Sequence, residues 1–306
     1  MGLPPELAMY TDNEKVFRMH ADEAAPPRRL YSAPLRLMSL VRYFHVEQRA
    51  SGPVLLPAVA FPSLCVIVDG GVRLGGPAGL LVKEAFLRGP NQRPVRLEWL
   101  PGTSLVVVML RVGRIGRLFD IPASELANQL LPLEFIIDSG DVHRLTDAVR
   151  SGVTPHDWMQ AIEQWFIGRV QAASSARVAP LCLPPSVLNE PAEVLAEYAN
   201  LSLRQFERRF LASYGLTLRE TRRLMRHMLA MATMLRSTPR RGQLTAVAHE
   251  AGYYDQAQMV REFAELSNMT PGACVRAMYG DLAQEDESRL LRYAGNDRQL
   301  VITSPL

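Results

Sequence analysis

Apolar residues follow two different rhythms along this chain, and the change comes near Gly113. Between about Leu35 and Val112 they form short runs cut by glycine and proline. Val54-Leu55-Leu56, Leu64 to Val68, Gly79 to Val82, Val95 to Trp99 and Leu105 to Leu110 are the clearest runs, and each predicts a strand. Asp69-Gly70-Gly71, Gly75-Gly76-Pro77, Gly89-Pro90-Asn91 and Pro101-Gly102 supply the turns between them. Strands at this spacing predict a small barrel or sandwich. Beyond Gly113 the spacing becomes helical. Short helices are predicted over Ile115–Phe119 and Ser124–Leu130. Longer ones are predicted over Asp141–Arg150 and Pro155–Val170, the last with Thr154 as its cap. Residues 172–188, rich in Ala, Ser and Pro, read as a linker. The fold class expected is α+β: a β-barrel domain with trailing helices over 35–171, and an all-α domain over 189–280. A polar segment, 1–34, precedes them and a mixed-charge tail, 281–306, follows.

The all-α part contains a degenerate internal repeat. One copy runs Leu195-Ala196-Glu197-Tyr198-Ala199-Asn200-Leu201-Ser202, then Leu203 to Phe210. The other runs Val247-Ala248-His249-Glu250-Ala251-Gly252-Tyr253-Tyr254-Asp255, then Gln256 to Phe263. Each predicts a short helix, a tight turn and a second helix, with one extra residue in the second turn. Ser202 and Asp255 suit helix N-caps, and Gln205 and Gln258 stand three residues on, as a capping box requires. Paired alanines leave room for close helix crossing, and Gly252 can take the left-handed conformation that ends a helix. Leu203, Phe206 and Phe210, and likewise Met259, Phe263 and Leu266, recur at helical spacing and are expected to face the core. That leaves Arg204, Gln205, Arg208 and Arg209 outward in one unit. In the other it leaves Ala257, Gln258 and Arg261, with Gln256 at the edge. Arg and Gln carry donor forks that fit guanine and adenine edges in the major groove, where a helix-turn-helix inserts its second helix. A connecting helix over Leu218–Arg236 has Leu224, Met228, Met231 and Leu235 on one stripe, and could set the two recognition helices about one DNA turn apart.

Charge sharpens this picture. The 306-residue chain has a formal net charge of only +3, yet ten arginines against two glutamates lie between Leu201 and Thr245. A field of that sign suits a polyanion. Cys65, Cys182 and Cys274 lack metal-ligand spacing and suit a reducing compartment. No apolar run approaches the ~20 residues of a membrane span, and the N-terminus reads as neither signal peptide nor lipidation site, so a cytoplasmic location is expected. No metal and no cofactor is expected either. Among the strands His45 is the only histidine, and nucleophile elbow, phosphate loop and paired carboxylates are all missing, so an enzyme is not the expectation.

Ala251-Gly252-Tyr253-Tyr254-Asp255-Gln256-Ala257, Arg261-Glu262-Phe263 and Met269-Thr270-Pro271 resemble the second-unit signature of the AraC/XylS family of transcriptional regulators. Leu201 to Phe210 with Gly215-Leu216-Thr217 resembles the first. The resemblance covers about Asn189 to Met278. It implies base or phosphate contacts from Arg204, Glu207 and Arg208, and from Gln256, Ala257, Gln258 and Arg261. Leu218 stands where the family usually has Pro, Thr221 and Cys274 where an aromatic is common, and Gln258-Met259 replaces a frequent His-Phe pair.

The N-terminal domain resembles the cupin-like sensor half of such regulators. By that resemblance it would bind a small effector and form a homodimer through helices. Phe61, Val66, Phe86, Leu97 and Trp99 are candidates to line an effector pocket, or simply to fill a closed core. Ile162, Trp165, Phe166 and Val170 form an apolar stripe suited to a partner helix or to packing on the barrel. The expected partners are double-stranded promoter DNA, with RNA polymerase and a small-molecule effector as further candidates. Activation and repression fit equally well. The competing reading is a protein-interaction regulator that controls another transcription factor.

Overall fold

A computed structural model describes residues 29–172, 180–236 and 244–274. The segment 1–28, the middle of the linker, Arg240, Arg241 and the tail 281–306 lie outside the described residues.

The N-terminal part is built on one long antiparallel pairing. Its strands are β1 (Arg29–Ser32), β2 (Val41–Leu56), β3 (Ser63–Asp69), β4 (Val72–Leu74), β5 (Leu80–Val82), β6 (Ala85–Arg88) and β7 (Val95–Leu110), joined later by β8 (Leu130–Pro132). β7 pairs with β2 along nearly its whole length, from Val41↔Leu110 to Leu56↔Val95. Its other edge is shared by β3, from Ser63↔Met109, and by β4, from Val72↔Trp99. The path runs β1-β2-β7-β3-β6-β8, with β5 on β4. The barrel expected from the strand spacing is not closed: β1 and β8 end the path and do not pair with each other. Both are short, four and three residues, and helices cover one face instead.

Pro101-Gly102, expected to turn the chain, lies inside β7. The β2–β7 register slips between Glu47 and Gly52, and Gly102 takes φ +80 there. Proline is tolerated in this place because the ladder is already irregular.

Alternation along the strands separates two apolar faces. Phe44, Leu64, Val66, Val106 and Val108 point to one face; Cys65, Ile67, Phe86, Leu97 and Trp99 point to the other. The first face is covered by α1 (Gly116–Phe119), α2 (Ala123–Leu126), α3 (Ser139–Arg150) and α4 (Pro155–Ala172). The helix expected over Ser124–Leu130 is shorter, and Leu130 begins β8 instead. Thr154 does cap α4: the Asp157 N–H donates to its hydroxyl at 3.3 Å and its own N–H donates to the Asp157 carboxylate at 2.8 Å. Ile162 and Phe166 are fully buried in this core, while Trp165 and Val170 pack partly buried against it. Ile162 and Phe166 therefore take the second of the two roles open to the stripe, packing within the chain's own core.

The C-terminal part is helical: α5 (Ala192–Tyr198), α6 (Leu203–Tyr214), α7 (Leu218–Arg236), α8 (Leu244–Glu250) and α9 (Gln256–Ser267). The connector α7 has the expected span. It buries more than one stripe, because it packs against both units: Thr221, Leu224, His227, Ala230, Met231 and Met234 are all buried, and Met228 only half so. The side chain of Leu235 lies outside the described residues.

Candidate nucleic-acid interface

The two repeats fold as two helix-turn-helix units with the same local logic. In the first, α5 ends at Asn200, whose φ of +53 reverses the chain, and the Leu201 N–H donates to Ala196 O at 2.9 Å. In the second, Gly252 does the same at φ +83, and the Tyr253 N–H donates to Ala248 O at 2.9 Å. Matching these closures identifies Tyr254 as the extra residue of the second turn. It is 87% exposed, directly before the recognition helix.

Both recognition helices are capped as their sequences require. The Ser202 hydroxyl accepts the Gln205 N–H at 3.4 Å, and the Gln205 Oε1 accepts the Ser202 N–H at 3.0 Å, closing a capping box. The Asp255 carboxylate accepts the Gln258 N–H at 2.6 Å, but Gln258 Oε1 reaches past the cap to the Tyr254 N–H at 3.0 Å. The inserted residue moves that second bond by one position.

The sequence-predicted faces separate largely as expected. Phe206 and Phe210 are buried and leave Arg204, Gln205, Glu207 and Arg208 exposed, with Arg209 half-buried. Leu203, expected in the core, is 38% exposed: it opens α6 and lies beyond the reach of α5. In α9, Met259, Phe263 and Leu266 are buried, while Ala257 and Arg261 are exposed and Gln258 is half-buried. Gln256, also half-buried, accepts the Thr245 hydroxyl at 2.9 Å, which turns its carbonyl oxygen toward α8.

Sequence reasoning missed Glu262. This carboxylate is buried on the flank of α9 that faces α7, with Arg223 at 3.4 Å and Arg226 at 3.6 Å. Arg223 also bonds Glu265. Burial opposes the Arg223 charge, but the two carboxylates outweigh it and raise the pKa. Burial, then the neighbouring Glu262 charge, raises the Tyr253 hydroxyl. The same flank opens into a cleft of about 850 Å³, lined by α7 arginines, by Gln258 and Arg261, and by Gln92 of the sheet domain. An acidic residue beside Arg261 gives a sequence reader no sign of which helix it faces.

The effector candidates divide. Phe86, Leu97 and Trp99 share one buried cluster with Cys65 and Ile67, and the Trp99 indole N–H has no acceptor among the described residues. Val66 points to the opposite face, under the helices. Phe61 lies outside both clusters, beneath the Arg42 guanidinium at 3.8 Å from its ring centroid.

Two capped recognition helices, one exposing Arg204 and Arg208 and the other Arg261, joined by one helix packed against both units, define a tandem helix-turn-helix domain of the DNA-binding kind. Residues 195–277 match the helix-turn-helix domain family, and this region belongs to its AraC type. The matched region supports a DNA-binding transcriptional regulator. Among solved structures it is similar to ToxT from Vibrio cholerae at 12% identity, over 76% of this chain and 97% of that one, with a TM-score of 0.42. An unsaturated fatty acid-bound ToxT from Vibrio cholerae strain SCE256 gives 12% identity, 79% and 98% coverage, and a TM-score of 0.42. The AraC-like transcriptional activator CuxR gives 13% identity, 61% and 76% coverage, and a TM-score of 0.28. No curated protein matches the sequence.

Proposed function

We propose that the chain regulates transcription by placing α6 and α9 in successive major grooves of promoter DNA. Arg204, Gln205 and Arg208 would act in one groove, and Ala257, Gln258 and Arg261 in the next. The observation that carries this reading is the shared cap geometry, which holds Arg208 and Arg261 each six residues beyond its N-cap, Ser202 or Asp255, on the exposed faces. Helix N-termini so capped also suit backbone phosphates. The sheet domain would sense a small effector. The orphan Trp99 indole N–H among Phe86 and Leu97 supports a polar contact there, although those side chains are closely buried.

The test is binding of the full chain to the DNA upstream of its own gene and to a scrambled duplex, at two salt concentrations. Preference for the native fragment that weakens steeply with salt is expected. Equal binding to both duplexes across a panel of bacterial promoter fragments would sink the sequence-specific reading. Retention by a partner protein instead would favour the interaction-regulator alternative.

A further inference from the structure

The cleft between α7 and α9 contains more positive charge than its fold needs. Five guanidiniums line it, from Arg219, Arg222, Arg223, Arg226 and Arg261, against the carboxylates of Glu220, Glu262 and Glu265. Each carboxylate is engaged through at least one oxygen, while Glu262 Oε2 is buried with no hydrogen-bond partner among the described residues. Glu220 accepts the Thr217 N–H at 2.8 Å and the Thr217 hydroxyl at 2.7 Å, capping α7. Glu262 and Glu265 are held by Arg223 and Arg226.

Among the described residues Arg219 and Arg261 make no ion pair, and Arg222 feels the Glu190 charge without a hydrogen bond to its carboxylate. Arg222 donates only to backbone carbonyls of Leu188 and Glu190, and burial, then the nearby Arg226 charge, lowers its pKa. Arg219 and Arg261 are exposed and have no partner among the described residues. The Arg226 Nε is buried with no acceptor among the described residues. Two unpaired guanidiniums, a donor short of an acceptor and the amides of Gln92 and Gln258 thus surround about 850 Å³ of open space.

We propose that this cleft is an oxyanion site that takes phosphate groups, gripped by Arg219 and Arg261. Guanidinium forks match the spacing of phosphate oxygens and form charge-assisted bonds with them. The occupant would be either a DNA backbone phosphate between the two half-sites or a free phosphorylated molecule. Because Gln92 comes from the sheet domain and Arg261 from the second recognition helix, either occupant touches both domains at once. The DNA version rests on the DNA-binding reading; the free-phosphate version does not.

The experiment uses the full chain and its R219Q variant, with inorganic pyrophosphate at matched ionic strength as one probe and duplex DNA over a salt series as the other. Arg219 is exposed and stands outside the predicted base-reading faces, so R219Q leaves the fold intact. Pyrophosphate is expected to bind the parent chain and to bind R219Q roughly tenfold more weakly. The salt slope of DNA binding is expected to fall by about one phosphate in R219Q. A change in pyrophosphate binding with an unchanged slope assigns the site to a free phosphorylated molecule, and the converse assigns it to DNA. If both probes treat R219Q and the parent alike, the proposal is overturned. Arg208→Ala separates the two ideas: it should weaken specific DNA binding and leave pyrophosphate binding untouched. If the parent chain binds no DNA at all, pyrophosphate alone decides.

Discussion

The two helix-turn-helix units share a frame but not a core. The first is built on Leu195, Phe206, Phe210 and Tyr214, with the Phe210 and Tyr214 rings stacked at 4.0 Å. It is also stitched to the segment arriving from the sheet domain: the Leu181 N–H donates to the Ser213 hydroxyl at 2.8 Å and the Leu183 N–H to the Tyr214 hydroxyl oxygen at 3.0 Å. Its exit turn, Gly215, takes φ +80 so close to Ala123 O that a Cβ there would lie 2.7 Å from it. The second unit is built on Met231, Met234, Met259, Met269 and Cys274 with Tyr253 and Phe263. Ion pairs through Glu262 and one bond from the Ala58 N–H to Leu266 O, 2.8 Å, fasten it to its neighbours. Stacked rings hold one geometry, whereas unbranched thioethers fill a space in several ways. The comparison teaches that the first unit is the fixed anchor and the second is the one able to adjust.

Core substitution should show this contrast most strongly. Phe210→Ala removes a fully buried ring and is expected to cost about 3–5 kcal/mol of stability. Met259→Leu, equally buried, should cost under about 1.5 kcal/mol because its volume is kept and its neighbours yield. Denaturant titration of both variants measures the difference. Equal losses would mean that the two cores are equally rigid.

Acid should act next, and on the second unit alone. His227 is fully buried on α7, its Nε2 at 2.7 Å from the Ser267 hydroxyl and its ring edge-on to Phe263. Burial, and then the Arg223 charge, push its pKa down to about 3. The ring is therefore neutral when folded but protonates near pH ~6.5 when unfolded. The unfolded state binds the extra proton between those values, so stability is lost as pH falls through that window. The slope approaches ~1.4 kcal/mol per pH unit, about 2–3 kcal/mol by pH ~4.5. Hydrogen exchange at pH ~7 and ~4.5 should show protection lost in α9 and kept in α6. Full protection of α9 at the lower pH would contradict the assignment.

The same contrast explains what could be read from the chain beforehand. Capping residues, the left-handed turn at Gly252 and the α7 span are local, and local rules place them. The open edge of the sheet is not local: it depends on β1 and β8, too short to leave a periodic trace, and on helices that cover a face. Pro101-Gly102 misleads for a related reason, since a bulge and a turn share the same residue chemistry. Ile162 and Phe166 could be read equally as a partner-facing or a core-facing stripe, because amphipathicity names a buried face without naming what covers it. Glu262 was illegible because its value lies in two arginines about forty residues away, on a helix whose rotation only packing sets.

DNA binding should divide between the units in a smaller step. Arg208→Ala and Arg261→Ala are each expected to cost about 1–3 kcal/mol of specific binding if each reads a base. Footprints should differ: loss of Arg208 weakens protection over the half-site of the fixed unit and loosens both. Loss of Arg261 should weaken only its own half-site. Unchanged affinity in both variants would remove the placement of the recognition faces.

The smallest effect distinguishes the two caps. Ser202→Ala opens a closed box and should cost about 1 kcal/mol of stability at any salt concentration, because no charge is involved. Asp255→Asn keeps the accepting oxygen and removes only the charge at the α9 N-terminus. Its expected cost is about 0.3–1 kcal/mol in dilute buffer, vanishing at high salt as the helix dipole interaction is screened. Asp255 is exposed beside Tyr254 on the face proposed to meet DNA, so the same change should raise non-specific DNA affinity by relieving repulsion from the phosphates. Thermal unfolding and duplex binding on one sample separate the two signs. A substitution that lowers stability and strengthens binding together would place the α9 N-terminus against the phosphate backbone; lowered stability with unchanged binding would place it away from DNA.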